Sequence, residues 1–295
     1  MIALVLALVG VQAVPDSLGA VLPPAHLGPE SEVVAVFRDA VSVSAGLDGS
    51  VYVVEAADHT LVQISPSGVR SIVALSGLRP NAVDASSGLH FVIADAQNGH
   101  VSRIGRAGDL IMQIVVTSKA GDDLSEDPGF VSRSGLPGAG EGAGTPLDVT
   151  QTASGSIVAI ESTRENILFW DESGRSVRLV RSFEGIPLQP RHLASSGANV
   201  LVADAGMPGV FVYDGFGTAA GRFAQDLGVI QAVAASPSDI WVVSGGFLAR
   251  LNTNGQVMTV TELDIEGAVV DMAATSQDLF LLTSRRLMRL PVTPR

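Results

Sequence analysis

The sequence predicts an all-β fold, a six-bladed β-propeller made of four-stranded antiparallel blades. Short runs rich in Val, Ile and Leu alternate with Gly, Asn, Asp and Ser, which is typical of strands joined by tight turns. A unit of three strands and two turns recurs six times, mostly at intervals of about 40 residues, which is the range of propeller blades. A chain of 295 residues fits one closed domain of this kind.

Residues 81–108 show the unit most clearly, with strands predicted at 81–85, 90–94 and 100–104. The other units begin at Val41, Leu147, Arg191, Gln231 and Val270. A fourth strand follows in most units, but the sixth unit ends without one, whereas Glu32–Arg38 precedes the first unit as a strand with no partner. We therefore expect the N-terminal strand to complete the last blade and close the ring.

Residues 1–13 form an apolar run that ends in small residues, with Ala13 at the predicted signal-peptidase cut. The run is shorter than the roughly 20 residues that span a bilayer. Because no Lys or Arg precedes it, an apolar N-terminal strand or helix of the mature fold is the alternative. We expect an exported protein, periplasmic or extracellular, with an irregular lead-in at 14–31 and a single propeller at 32–295.

An insertion at 117–144 lengthens the connection between the second and third units and combines acidic residues with several glycines. It has neither the spacing of a phosphate-binding loop nor that of a calcium-binding EF-hand. A loop of this length is often functional or disordered. We expect a surface loop that covers one mouth of the channel or binds a partner.

Composition narrows the classes of function. The net charge of −12 argues against a nucleic-acid partner and against binding to an anionic membrane. We expect no membrane insertion once the signal peptide is removed. The chain has no cysteine, which excludes disulfides, thiolate metal sites and a cysteine nucleophile. Neither the G-x-S-x-G nor the H-E-x-x-H motif occurs.

The segment Ile93–Val101, IADAQNGHV, resembles the NHL repeat, in which a hydrophobic strand leads into V-A-D-x-x-N-x-x-I. Residues 54–58 and 202–206 match this pattern in part, whereas Ser244 and Thr283 replace the acidic residue in the last two units. The resemblance implies a six-bladed propeller. It leaves the activity open, because NHL-like propellers include binding scaffolds, lyases and lactonase-like hydrolases.

The acidic position of this motif has two interpretations. A carboxylate at a turn can accept main-chain N–H groups and close the turn. The alternative is a ring of cation ligands. The structural role is favoured because the position belongs to the repeat itself. The residues concerned are Glu55, Asp95, Glu161 and Asp204.

The first strand of each unit is expected to line the central channel. Aligned by the repeat, one position on these strands is mostly polar, although a core position would be apolar throughout. Its residues are Ser42, Asn81, Asp148, His192, Ala232 and Asp271. The five polar residues are therefore candidates for lining the channel or binding a ligand there.

Asp148, His192 and Asp271 are also candidate ligands for a divalent cation such as Ca²⁺ in the channel, because oxygen donors suit Ca²⁺ and imidazole suits a transition metal. The same set could position a water for attack on a lactone. A structural role in holding ordered water is the third interpretation.

From these observations we predict an exported, non-catalytic binding scaffold for a protein, peptide or glycan at one propeller face. The absence of a catalytic motif and the long loops on a repeating framework favour it. The alternative is a metal-dependent hydrolase or lyase, lactonase-like, with its site at the channel and with Asn81, Asp148, His192 and Asp271 as its residues. A third possibility is that the propeller is part of a larger assembly and provides a docking surface there. Convergence of the four side chains distinguishes the enzyme from the scaffold.

Overall fold

A computed structural model describes residues 25–26, 31–75, 77–116 and 144–292. These residues form six four-stranded antiparallel sheets, named blades 1 to 6, and one separate two-stranded hairpin. The innermost strands of neighbouring blades contact each other all the way round the ring. The predicted all-β, six-bladed propeller is thereby confirmed. The predicted signal peptide at 1–13, most of the lead-in and insertion residues 117–143 lie outside the described residues.

The first half of the described chain provides blades 1, 2 and 3, which are β3–β6, β7–β10 and β11–β14. Their strands, with the two N-terminal strands before them, are β1 (Ala25–His26), β2 (Glu32–Val36), β3 (Ala40–Ala45), β4 (Val51–Glu55), β5 (Thr60–Ile64), β6 (Arg70–Val73), β7 (Ala82–Asp84), β8 (His90–Asp95), β9 (His100–Gly105), β10 (Leu110–Val115), β11 (Pro146–Gln151), β12 (Ile157–Glu161), β13 (Asn166–Trp170) and β14 (Ser176–Val180).

The second half provides the hairpin, then blade 4 from β17–β20, blade 5 from β21–β24 and the first three strands of blade 6, β25–β27. The strands are β15 (Ser182–Phe183), β16 (Ile186–Pro187), β17 (Pro190–Ser196), β18 (Asn199–Asp204), β19 (Val210–Asp214), β20 (Ala219–Phe223), β21 (Ala232–Ala235), β22 (Asp239–Ser244), β23 (Phe247–Asn252), β24 (Val257–Glu262), β25 (Val269–Ala274), β26 (Asp278–Thr283) and β27 (Arg286–Pro291). A 3₁₀ helix, Gln225–Leu227, precedes blade 5.

Blade 6 is completed by the N-terminal strand β2, which pairs antiparallel with β27. This pairing confirms the predicted closure of the ring by both ends of the propeller sequence. The two-residue strand β1 adds in parallel to the outer edge of β24 in blade 5. None of the described helices has the length and apolar character that a membrane span requires.

The core lies between the blades. In the described part of the chain, six clusters of buried side chains each join two neighbouring blades. Val, Ile, Leu and Ala dominate them, since β-branched and short side chains fit between two pleated sheets. The cluster between blades 6 and 1 includes Phe37, which follows β2 directly. The closing strand therefore contributes to the core as well as to the sheet.

Within each blade we name the strands A to D from the channel outward. The A–B turns of all blades lie on one face of the disc, the A–B face, and the D–A connections lie on the opposite one, the D–A face. This follows because successive antiparallel strands reverse direction. Polar residues on strand A lie at the axis, which is where the candidate site is found.

Candidate functional site

Four of the predicted polar residues share one register position on strand A. Ser42, Asp148, His192 and Asp271 each pair with the residue just before the acidic position, or its replacement, at the end of strand B. Ala82 and Ala232 stand at this position in blades 2 and 5. The axial position is therefore polar in four blades and alanine in two.

Asn81 lies one residue before this position, which corrects the alignment made from the sequence. In four first strands a β-bulge precedes the axial residue, whereas β7 begins only at Ala82. The Asn81 amide donates to the carbonyls of Pro146 and Leu147, both at 2.9 Å, and its Oδ1 accepts the Ala96 N–H at 2.8 Å. Asn81 thus joins blades 2 and 3 and does not belong to the axial cluster.

Asp148, His192 and Asp271, called the axial cluster below, come together in the channel. Blades 3 and 6 lie opposite each other in a ring of six, so Asp148 and Asp271 approach from opposite sides. His192 from blade 4 lies near both, with its Nδ1 3.9 Å from Asp148 Oδ2 and 3.8 Å from Asp271 Oδ1. Their side chains are 21% exposed for His192, 13% for Asp148 and 12% for Asp271, so a small molecule can contact them.

Main-chain N–H groups of the neighbouring blades hold the carboxylates in place. Asp148 Oδ2 accepts the Leu193 N–H at 2.8 Å, and Asp271 Oδ2 accepts the Val43 N–H at 2.7 Å. The other oxygen of each accepts the N–H of the next residue in its own strand. Strand A has no partner strand on its channel side, so these bonds satisfy buried N–H groups that would otherwise be unpaired.

Ser42 fits the same arrangement. Its hydroxyl oxygen accepts the Val83 N–H at 3.3 Å, which joins blade 1 to blade 2. The hydroxyl also donates to Asp271 and lowers the pKa of that carboxyl in part. The side chain is almost fully buried. Ser42 therefore positions Asp271, and its own access to a ligand is small.

Burial gives the axial cluster unusual protonation. It raises the pKa of Asp271 to about 7, although hydrogen bonds from Val43, Met272 and Ser42 lower it in part. Burial and the negative charge of Asp271 raise the pKa of Asp148 well above its usual range. Burial, aided by the charge of Arg191, lowers the pKa of His192 to about 4. Near neutral pH the imidazole is uncharged, and the carboxyl pair keeps at least one proton.

Asp84 is a further axial carboxylate that the sequence reasoning missed. Its Oδ2 accepts the Thr150 hydroxyl at 2.9 Å and the Gln151 N–H at 2.7 Å, so it joins blade 2 to blade 3. It lines the same inner cavity as Asp148 and Asp271. The signal was available in the sequence, because Asp84 lies two residues beyond Ala82 and therefore on the same side of its strand.

The axial cluster does not fit a three-ligand metal site as it stands. Carboxylate and imidazole are suitable donors for divalent cations. However, within residues 25–26, 31–75, 77–116 and 144–292 no group of three or more His, Cys, Asp or Glu side chains is arranged to hold a metal ion. All four oxygens of the axial pair already accept N–H groups. Ca²⁺ in the channel therefore stays a prediction.

Two cavities lie along the axis on the A–B side of the cluster. The inner cavity, of about 100 Å³, is lined by Asp84, Asp148 and Asp271 among others. The outer one, called the vestibule, has about 1630 Å³ and is lined by the A–B turns of all six blades. Both share small lining residues, which we call the neck. These are Ala45, Ser86, Ser195, Ala235 and Ala274.

The acidic residues of the repeat motif close turns away from the axis. Asp95 accepts the Arg79 and Asn98 N–H groups, at 3.0 Å each, and Asp204 accepts those of Gly206 and Met207 at 2.8 and 2.9 Å. Glu161 accepts three main-chain N–H groups in the same way. The turn-closing interpretation is confirmed for these residues.

The fold is similar to solved propellers with enzymatic or calcium-binding names. A gluconolactonase from Xanthomonas campestris has a TM-score of 0.62 at 14% identity, covering 94% of this chain and 93% of that one. Virginiamycin B lyase from Staphylococcus aureus gives 0.60 at 12%, covering 90% and 99%. A calcium-binding regucalcin from Agrobacterium tumefaciens gives 0.59 at 12%, covering 89% and 94%. No protein-family model and no curated protein sequence matches the chain.

These neighbours contradict the predicted non-catalytic scaffold. The similar structures include lyases and gluconolactonases, which favours the lactonase-like or lyase alternative made from the same residues. Membership of the NHL-repeat family, as distinct from the six-bladed architecture, is not shown, since no family model matches. At these identities the likeness establishes the fold, so the activity has to be argued from the axial cluster.

Proposed function

We propose that this propeller is an enzyme that cleaves a small cyclic ester by acid–base catalysis at the axial cluster. The observation that carries the proposal is the approach of His192 Nδ1 to Asp148 and Asp271, at 3.9 and 3.8 Å, where the two carboxyls line the inner cavity. Two carboxyl groups of different proton affinity and a neutral imidazole are the groups that such a reaction needs. The gluconolactonase and lyase neighbours support the same class of chemistry.

The two carboxyls take different roles. We assign the base to Asp271 and the acid to Asp148, because the negative charge of Asp271 as well as burial raises the pKa of Asp148. In the hydrolysis of a lactone, ionised Asp271 accepts a proton from the attacking water. Asp148 donates its proton to the ring oxygen as the C–O bond breaks. His192, neutral above about pH 4, lies close enough to both to orient the water or the ester.

Elimination is the second candidate reaction, favoured by the similarity to virginiamycin B lyase. There Asp271 would remove a proton from the carbon next to the breaking C–O bond, and Asp148 would protonate the leaving oxygen. The two reactions differ in the fate of water. Hydrolysis in H₂¹⁸O introduces one labelled oxygen into the product, whereas elimination introduces none and creates a C=C bond that absorbs ultraviolet light.

Activity should depend on both carboxyls. We expect the protein to open one or more members of a panel of aldonolactones and of γ- and δ-lactones, and Asp148→Asn and Asp271→Asn each to lower kcat/KM by about 10²- to 10⁴-fold. Asp58→Asn, at an exposed aspartate distant in sequence from the cluster, is the matched control and should leave kcat/KM unchanged. No activity on the panel, or equal activity of all four proteins, would contradict the proposal.

The predicted divalent cation is tested in the same assay. The acid–base route uses only side chains of this chain, so activity should survive dialysis against a chelator. Loss of activity on dialysis and recovery with Ca²⁺ would move the reaction to a bound metal, as the calcium-binding neighbour suggests. The relation to NHL propellers rests on the Ile93–Val101 motif. Export, a protein, peptide or glycan partner and the absence of a nucleic-acid partner stay predictions from the sequence.

A further inference from the structure

Two described cavities lie one behind the other between the A–B face and the axial cluster. The vestibule opens on the A–B face and narrows at the neck, whose five residues are all Ala or Ser. The inner cavity behind the neck ends at Asp148 and Asp271. Because the neck residues line both cavities, the two spaces adjoin at the neck. The side chains between them are no larger than serine.

Acidic side chains line both cavities of the passage. Asp48 and Asp278 line the vestibule and Asp84 lines the inner cavity, where Asp148 and Asp271 add only part of their charge because they keep at least one proton between them near neutral pH. Among the residues that the structure describes, Arg289 is the only Arg or Lys that lines the vestibule, and it lies 2.7 Å from Glu32, which neutralises it. His90 lines the vestibule too, and burial lowers its pKa, so it adds no charge near neutral pH.

Acidic groups around a narrow, low-dielectric space focus a negative potential on it. Such a field slows the approach of anions and accelerates that of cations, by factors of about 10 to 10³ in the rate of association. The serine hydroxyls and exposed main chain of the A–B turns provide neutral hydrogen-bonding groups. The passage therefore suits ligands without a negative charge.

We propose that the A–B face is the entrance to the axial cluster, and that its acidic passage admits small uncharged or cationic ring esters and rejects anionic ones. The substrate class in this statement rests on the function proposed above, whereas the entrance and its charge selectivity are properties of the channel. They can be measured without any turnover.

The absence of cysteine from the sequence makes a direct test possible. Ala194 lines the inner cavity, so Ala194→Cys places the only thiol of the protein behind the neck. Its rate of labelling is measured with methanethiosulfonate reagents of similar size that are cationic, neutral or anionic. Ser173→Cys, at an exposed turn of blade 3, gives the intrinsic reactivity of each reagent.

The entrance is tested by blocking the neck in the Ala194→Cys protein. Ala235→Phe and Ala274→Phe are made separately, so that one folded variant suffices, and folding is checked by thermal melting. The control is Thr163→Phe, at an exposed B–C turn on the D–A face. We expect each neck variant to slow labelling at least tenfold and the control to leave it unchanged. If only the control variant slows labelling, or if no variant does, the A–B face is not the entrance.

Charge selectivity is read from the unblocked protein. Relative to the exposed thiol, the cationic reagent should label behind the neck at least tenfold faster than the anionic one, with the difference shrinking at high salt. Equal relative rates overturn the selectivity. If labelling follows the expected pattern but the protein opens no lactone, the proposed function is wrong and the proposed entrance is still supported. A protein that opens lactones but labels through the D–A face refutes the entrance alone.

Discussion

At the residue scale, the axial cluster combines two roles in the same side chains. Asp148 and Asp271 join neighbouring blades through the Leu193 and Val43 N–H groups, and they also present carboxyls of raised pKa to the inner cavity. The bonds fix the carboxylates without neutralising them, because N–H groups carry only partial charge. Burial therefore makes the ionised form costly, which is the condition under which a carboxyl retains a proton near neutral pH.

This cost predicts a pH-dependent stability for Asp271→Asn. In the folded protein Asp271 keeps its proton up to about pH 7, whereas in the unfolded chain the carboxyl ionises near pH 4. Between these two pH values the folded state binds more protons than the unfolded state, so the folded state loses stability as the pH rises. Asparagine does not ionise. The free energy of unfolding of the variant, relative to the native protein, should increase by up to about 4 kcal/mol from pH 4 to pH 8.

Urea unfolding of the two proteins across this pH range checks the prediction. His192 titrates in the opposite sense, but it is present in both proteins and largely cancels from the difference. Asp148 loses the influence of the Asp271 charge in the variant, which changes the difference in the predicted direction. Asp58→Asn is the control, since its side chain is 52% exposed and its difference from the native protein should not vary with pH. If the difference in the free energy of unfolding between Asp271→Asn and the native protein stays constant from pH 4 to pH 8, the pKa of the buried carboxyl is not raised.

The sequence predicts most of this cluster, and its errors have physical causes. Period-two alternation and the repeat identify Ser42, Asp148, His192 and Asp271. The sequence alignment places Asn81 at the axial position because a β-bulge, which adds one residue to a strand, leaves no mark in the sequence. Which oxygen accepts which N–H, and therefore how each carboxyl is held, depends on atomic positions that no pattern contains.

At the element scale, the ring is closed by hydrogen bonds between its two ends. Strand β2 pairs with β27 and covers the outer edge of blade 6, and Phe37 just beyond it is buried between blades 6 and 1. The sequence predicts this closure because one strand is missing at one end and one is left over at the other. The prediction needed only a count of strands, which is why it succeeded without any geometry.

Deleting the closing strand β2 should therefore destabilise the closed ring. Removal of residues 1–38 takes away β2 and Phe37, and we expect it to lower the free energy of unfolding by at least about 4 kcal/mol, since the loss of a buried Phe alone costs about 3–5 kcal/mol. The exposed edge of β27 should also promote aggregation. Thermal melting and size-exclusion chromatography measure both effects.

Removal of residues 1–30 is the matched control, because it takes away β1 but keeps β2. Strand β1 contributes only two residues, Ala25 and His26, at the edge of blade 5. This shorter deletion should leave the melting temperature nearly unchanged. If the two deletions behaved alike, closure by β2 would not be what holds blade 6 in place.

At the scale of the whole molecule, the architecture and the activity differ in how far a sequence can predict them. Turn residues, strand periodicity and the 295-residue length predict the propeller, because each blade repeats the same local pattern. The sequence predicts a non-catalytic scaffold because no linear catalytic motif occurs, and this prediction is wrong. The axial cluster is instead assembled from blades 3, 4 and 6, whose residues Asp148 and Asp271 are far apart in the sequence and meet only when the ring closes.

In the reaction proposed above, Asp271 acts as the base and Asp148 as the acid. The most direct test is the dependence of kcat/KM on pH for the lactone that the protein opens best. Because the pKa of Asp271 is raised to about 7 and that of His192 is lowered to about 4, the two candidate bases give different acid limbs. We predict that log kcat/KM rises with pH up to about 7 and falls again at higher pH, where Asp148 loses the proton that it donates. An acid limb near pH 4 would assign the base to His192, and a rate independent of pH from 4 to 8 would show that neither Asp271 nor His192 is the base.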